Sequence, residues 1–395
     1  MKASRFVKKI STNVISYGID NYEKKVIFIF EERAMGDILI IGNGFDLAHG
    51  YPTKYSDYLF LVKNIECFEK ELELRRCGKS EDSIFDRYFY KGVLDKIDII
   101  NQFISIAKVN AWIYYFSNCD AEIKGWIDFE KELLPICRAF DCLFAADFKA
   151  YGTKERESEN VYDVVIESWY DMLNLLMWND FFLKTRSGKI LFLKEEYGSP
   201  KQGILQERII KKLHNSFEEF KLSMILYMKI FVDEFNPKIL HQIKVMNPYA
   251  ILSFNYTKTE KKYFSLKDDK ICHVHGSVDM NKIVLGTDLI ANDSKYIFLN
   301  KQFQRLASVK EFGYKRFLDI MANNSSVDIV GHSLDINDEH IFKSFIEKSN
   351  KTNIYYYNDE DFGTKIANLL KIFGGDQIED WIYCKKIVFK KLQKI

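Results

Sequence analysis

The chain has 395 residues, enough for one large core or two, and its 47% hydrophobic and 29% charged content is that of a globular chain, not a disordered one. A net charge of +1 gives no general reason to expect nucleic acid or an anionic membrane as a partner. Seven cysteines without a Cys-x-x-Cys pair argue for reduced thiols in a cytoplasmic setting and against zinc ribbons and redox pairs, and no apolar run is as long as a membrane span.

Residues 1–34 are expected to be a peripheral N-terminal extension. Up to Gly18 they carry basic and hydroxyl residues and no acid, as transit peptides do, but they have no apolar core for secretion; Val26 to Phe30 could add an edge strand. Next comes Asp37-Ile38-Leu39-Ile40-Ile41, whose apolar run predicts a strand buried on both faces. Gly42 and Gly44 then force a tight turn that a ligand could approach closely, and Leu47 and Ala48 open a helix. Strand, glycine turn and helix together make an anion site, because free N–H groups at a helix start point outward. Asn43, Phe45, Asp46 and His49 crowd the same turn, and a purely structural turn needs none of its polar groups.

From Thr53, a candidate cap, to about Asn236 the pattern is mostly helical. Leu94 to Phe116, Phe129 to Phe144 with Pro135 inside it, Val161 to Met177 and Ile204 to Phe235 each read as helix. Gly78-Lys79-Ser80 is not a phosphate loop, since Glu73 stands where the partner glycine belongs. Asp128 and Glu130, two apart, do not share a helix face. Asp128 either caps the helix, or one of the two carboxylates reaches back to a ligand.

From Asn247 strands return: Tyr249–Phe254, Ile271–Gly276, Lys282–Leu285, Val327–Val330 and Asn353–Tyr357. Several end in polar or glycine residues: Asn255; His275; Gly331, His332, Ser333 and Asp335. Open parallel sheets bind ligands outside the carboxyl ends of their strands, so these residues are expected to meet at one rim and to hold a nucleotide. The expected fold is α/β, a Rossmann-like parallel sheet interrupted by a large helical insertion. Residues 35–53 and 247–374 would form the nucleotide-binding unit, 54–246 the insertion and 375–395 a C-terminal tail. His273 and His275, two apart on a strand, point the same way; with Asp288 or Asp335 they could also hold a metal, but the carboxylate-and-histidine clusters of hydrolytic two-metal sites are missing.

The segments Gly42-Asn43-Gly44-Phe45-Asp46-Leu47-Ala48-His49-Gly50, Trp126-x-Asp128-x-Glu130, Ser253-Phe254-Asn255-Tyr256-Thr257, His275-Gly276 and Gly331-His332-Ser333-Leu334 resemble, in this order, the AbiH-type bacteriophage abortive-infection family. The same skeleton is more remotely similar to the sirtuin-like domains of bacterial antiphage NAD-consuming enzymes. That resemblance implies NAD, or a related nucleotide, as substrate or ligand, split at the glycosidic bond without a metal. It places Gly42 and Gly44 at the phosphates, Asn255 at the ribose or the attacking water, His275 as general base and Ser333 near the nucleotide. Sirtuin-like loops usually read Gly-Ala-Gly, whereas Asn43 and Asp46 stand here, and the cysteine zinc module of deacetylating sirtuins is missing. Two alternatives stay open: a non-catalytic nucleotide sensor in a defence complex, and a metal-dependent phosphoesterase or nuclease. A phage-derived trigger and a second copy of the chain are the expected protein partners, with the insertion gating the site.

Overall fold

A computed structural model describes residues 36–79, 82–119, 126–146, 161–165, 169–176, 182–183, 190–233, 240–244, 246–308, 313–321 and 325–392. The expectations for residues 1–34 lie outside the described residues.

Six strands form one parallel sheet: β1 (Ile38–Ile41), β2 (Ala250–Ser253), β3 (Ile271–His273), β4 (Ser326–Val330), β5 (Lys351–Tyr356) and β6 (Ile387–Lys391). Their order across the sheet is β6-β5-β4-β1-β2-β3, so the order reverses between β1 and β4. β1 is central, pairing Ile38 with Ala250 on one side and with Val327 on the other. Its four residues are buried on both faces, and alternate side chains enter different cores. Ile38 and Ile40 pack with Phe342 and Phe345 of the helix Glu339–Lys348 and Leu369 of the helix Asp359–Phe373, whereas Leu39 and Ile41 pack with Phe45, Ile243 and Leu392.

Three expectations are corrected here. Lys282–Ile283 pairs antiparallel with Gly276–Ser277, in a hairpin of its own outside the sheet. Val161–Val165 is a strand, paired antiparallel with Ile190–Lys194; its β-branched and aromatic residue types suit a pleated ribbon, and a helix follows at Tyr170–Leu176. The expected tail 375–395 is, over its described residues up to 392, part of the fold: a helix at Gly375–Tyr383 leads into β6, which pairs in parallel with β5 from Ile387 to Lys391.

The insertion builds a second core around one long helix, α1 (Gln206–Phe231). Ile209, Leu213, Phe217, Phe220, Met224 and Phe231 are buried along it at helical spacing. The apolar run from Leu94 is two helices, Ile97–Val109 and Ala111–Asn118, broken at Asn110. There the Asn110 carboxamide oxygen accepts from the backbone of Trp112 and Ile113, while its nitrogen donates to Ser216 on α1. A further helix, α2 (Trp126–Phe144), contains Pro135 and buries Phe129, Leu133, Ile136, Phe140 and Leu143. Val278, Ile283, Leu285 and Leu299 pack into this second core, so the stretch after residue 247 serves both.

Candidate functional site

The glycine turn follows from β1. Its short helix begins at Asn43, earlier than the expected Leu47, with Gly42 as the residue before it. Gly42 N–H donates to Val330 O at 3.1 Å and Gly44 N–H to Gly331 O at 2.8 Å. A Cβ on Gly42 or on Gly44 would stand 2.8 Å from the Gly331–His332 backbone, and one on Gly331 only 2.0 Å from Phe45 N. Gly331 also has φ +69. The two glycines that the sirtuin-like resemblance places at a ligand's phosphates also make this close contact between two neighbouring strand ends. Asn43 reaches Thr53 O, and Gly44 O accepts from the Tyr357 hydroxyl.

Two buried polar clusters lie at this edge. In the first, the Asp46 carboxylate accepts from Thr257 Oγ1 at 2.6 Å and from Thr259 Oγ1. Burial raises its pKa to about 7 against these two hydroxyls, and the nearby Glu260 charge adds to the rise. Asn255, 4% exposed, also faces Asp46 and lowers its pKa, yet neither end of its carboxamide makes a regular hydrogen bond. Glu260 is fully buried, and its Oε1 lies 3.3 Å from His273 Nε2. His273 Nδ1–H donates to Asn255 O. Burial would lower the His273 pKa, but Glu260 and that carbonyl outweigh it and raise it. His49 donates from Nδ1 to Phe45 O at 2.7 Å and lies against the Tyr263 ring, and burial keeps it neutral by lowering its pKa.

The second cluster is built around Asp338, just after β4. His275 Nε2 lies 3.0 Å from Asp338 Oδ1. Lys301 Nζ stands 2.6 Å from Glu130 Oε1 and 3.7 Å from Asp338, and Arg305 bridges Asp338 and Asp288. Asn337 donates to Glu130 Oε2 and accepts from Thr287. Burial alone would raise Asp338, but Lys301 and His275 hold it well below the usual carboxylate range. Burial raises Glu130 to about 7 despite Lys301, and lowers His275 despite Asp338. His332 accepts at Nδ1 from Leu334 N–H, and burial pushes it down to about 4. The Phe254 ring packs against both His275 and His332.

The expected convergence on one edge thus takes the form of two clusters, with Asn255 in the first and His275 in the second. His273 and His275 do not share partners, because β3 ends at His273 and Gly276 turns the chain at φ +75. Ser333 is half-buried and Asp335 caps the turn at Asn337 N. The Asp128 side chain lies outside the described residues. Asp338, Lys301, Arg305, Thr257, Thr259 and Glu260 went unselected. The i, i+4 spacing of Lys301 and Arg305 and the alternation of Thr257 with Thr259 were the available signals.

Among the described residues no three His, Cys, Asp or Glu side chains group to hold a metal ion, and no helix is long and apolar enough to cross a membrane. A cleft of about 650 Å³ lies elsewhere, between α2 and residues 289–296, lined by Leu134, Arg138, Leu289 and Tyr296 among others. A family model described as bacteriophage abortive infection AbiH matches residues 38–358. No curated protein and no solved structure matches the chain.

Proposed function

The chain belongs to the bacteriophage abortive infection AbiH family, and from that premise we propose that it serves antiphage defence by consuming NAD or a related nucleotide at the carboxyl edge of its sheet. The strand order supports a Rossmann-like, doubly wound reading of the parallel sheet, in which a dinucleotide would lie where the order reverses. Here that place is the end of β1 and β4. The observation that carries the reading is a pair of buried side chains at this edge with polar atoms that make no regular hydrogen bond: the Asn255 carboxamide and Nδ1 of His275.

The chemistry asked of them is modest. Loss of nicotinamide leaves a cationic sugar, so catalysis needs a placed water and a base more than a strong nucleophile. Burial keeps His275 neutral and able to accept a proton, and ionised Asp338 would stabilise the imidazolium that forms. Asn255 orients the ribose or the water. The water oxygen bonds to C1′, the C1′–N bond breaks with its electrons leaving on nicotinamide, and the water proton passes to His275.

The test is incubation of the purified protein with NAD, NADP and ATP, with and without phage lysate as trigger, followed by chromatography. Nicotinamide release is expected, reduced at least ~100-fold by His275→Ala or Asn255→Ala in folded protein. No product from any of the three nucleotides in either condition removes the reading. A non-catalytic sensor is favoured by the 4% exposure of both Asn255 and His275, and would bind nucleotide without turnover.

A further inference from the structure

Glu260 is a glutamate that no catalytic assignment above uses. It is fully buried at a 3-10 turn, Thr259–Lys262, and neither carboxylate oxygen receives a hydrogen bond of regular geometry. His273 Nε2 lies 3.3 Å from Oε1 and supplies charge on one side only. Asn255, also deeply buried, makes no regular hydrogen bond with either carboxamide atom beyond its contact with Asp46, on which the Glu260 charge also acts. Leaving such groups buried and unsatisfied costs roughly 1–3 kcal/mol each, more for a charge, and folded chains rarely keep them without a use.

The arrangement narrows the missing partner. Two carboxylates accept hydrogen bonds, and a carboxamide both gives and accepts one. A group that donates twice from adjacent atoms and can also accept fits that set: a vicinal pair of hydroxyls. A simple cation fits less well, because it offers nothing to the carboxamide nitrogen and the described residues include no metal-holding group of three. From this juxtaposition we propose that Glu260, with Asn255 and Asp46, forms the recognition site for the 2′,3′-diol of a ribose. Glu260 is the principal acceptor and His273, 3.3 Å from its Oε1, the positioning residue. This rests on the nucleotide reading of the same edge and adds to it which sugar chemistry is selected and by which side chain.

The test uses binding, not turnover. ADP-ribose and its 2′- and 3′-deoxy analogues, altered on the terminal ribose, are titrated calorimetrically into the full chain, and into Glu260→Gln with its melting temperature measured alongside. ADP-ribose is expected to bind, with affinity falling at least tenfold for either deoxy analogue and for Glu260→Gln. If ADP-ribose binds and the deoxy analogues bind equally well, the diol site is overturned while the nucleotide reading survives. If ADP-ribose does not bind, both fall. The deoxy series needs no variant, so it decides the matter even if Glu260→Gln fails to fold; a folded Glu260→Gln that binds normally overturns the assignment to Glu260.

Discussion

At Asp46 a carboxyl group is kept in the interior by two threonine hydroxyls, and its titration is linked to folding. Its pKa is about 7 in the folded chain against 3.8 for the free group, so the folded state binds the proton more tightly. The stability this contributes is fully present below about pH 3.8 and is lost as the pH rises through about 7. Asp46→Asn stays neutral throughout and should flatten that decline. Thermal melts of variant and parent at pH 4, 6 and 8 are expected to diverge in the variant's favour as pH increases; parallel curves would mean that Asp46 does not titrate in this range. Residue type and position made Asp46 and Asn255 legible in the sequence, since a carboxylate and a carboxamide stand just after buried strands. Glu260 was not legible: only the turn after β2 carries it back beneath Asp46, and nothing in its local spacing records that path.

Between elements, the contact of the β4 turn with the β1 turn sets what each glycine must be. Gly331→Ala puts a methyl group into Phe45 N at a backbone angle that L-residues avoid. The expected loss exceeds about 2 kcal/mol in urea unfolding. Gly363, inside the helix Asp359–Phe373 with open space at its Cβ, is the control; Gly363→Ala should gain roughly 0.5–1 kcal/mol. Equal effects at the two positions would show that the turns are not in tight contact. The apolar runs revealed four of the six sheet strands nearly to the residue, because burial on both faces leaves an unbroken aliphatic signature. They overran β3, which stops at His273 short of the expected Gly276. β6 was missed: Lys390 and Lys391 make Ile387–Lys391 look like a solvated end, as edge strands often do. The hairpin strand Lys282–Ile283 looked like a sheet member because two residues cannot reveal which partner they take.

Across the whole molecule, Glu130 on α2 is the link from the insertion to the sheet edge. It holds Lys301 at 2.6 Å and Asn337 at 3.1 Å, next to Asp338 and His275. Glu130→Ala would leave Lys301 buried with less of its counter-charge, and loss of one partner in such a pair typically costs about 3–5 kcal/mol. Because the pair joins two cores, the damage should spread. Amide exchange is expected to rise in α2 and also at Ile336–Asp338 and Lys301–Leu306. A loss below about 1 kcal/mol, with exchange unchanged at those segments, would mean that the insertion is only a neighbour of the edge and has no hold on it.

The central place of β1 also governs when the sheet can form during synthesis. Its first neighbour, β2, emerges from the ribosome roughly 200 residues later, and its second, β4, later still, so the strand waits unpaired through most of translation. The insertion, rich in local helix contacts, can condense in that interval. A nascent chain stopped anywhere before Val330 therefore lacks one wall of the ledge around Gly42, and with it any capacity for the toxic chemistry proposed there.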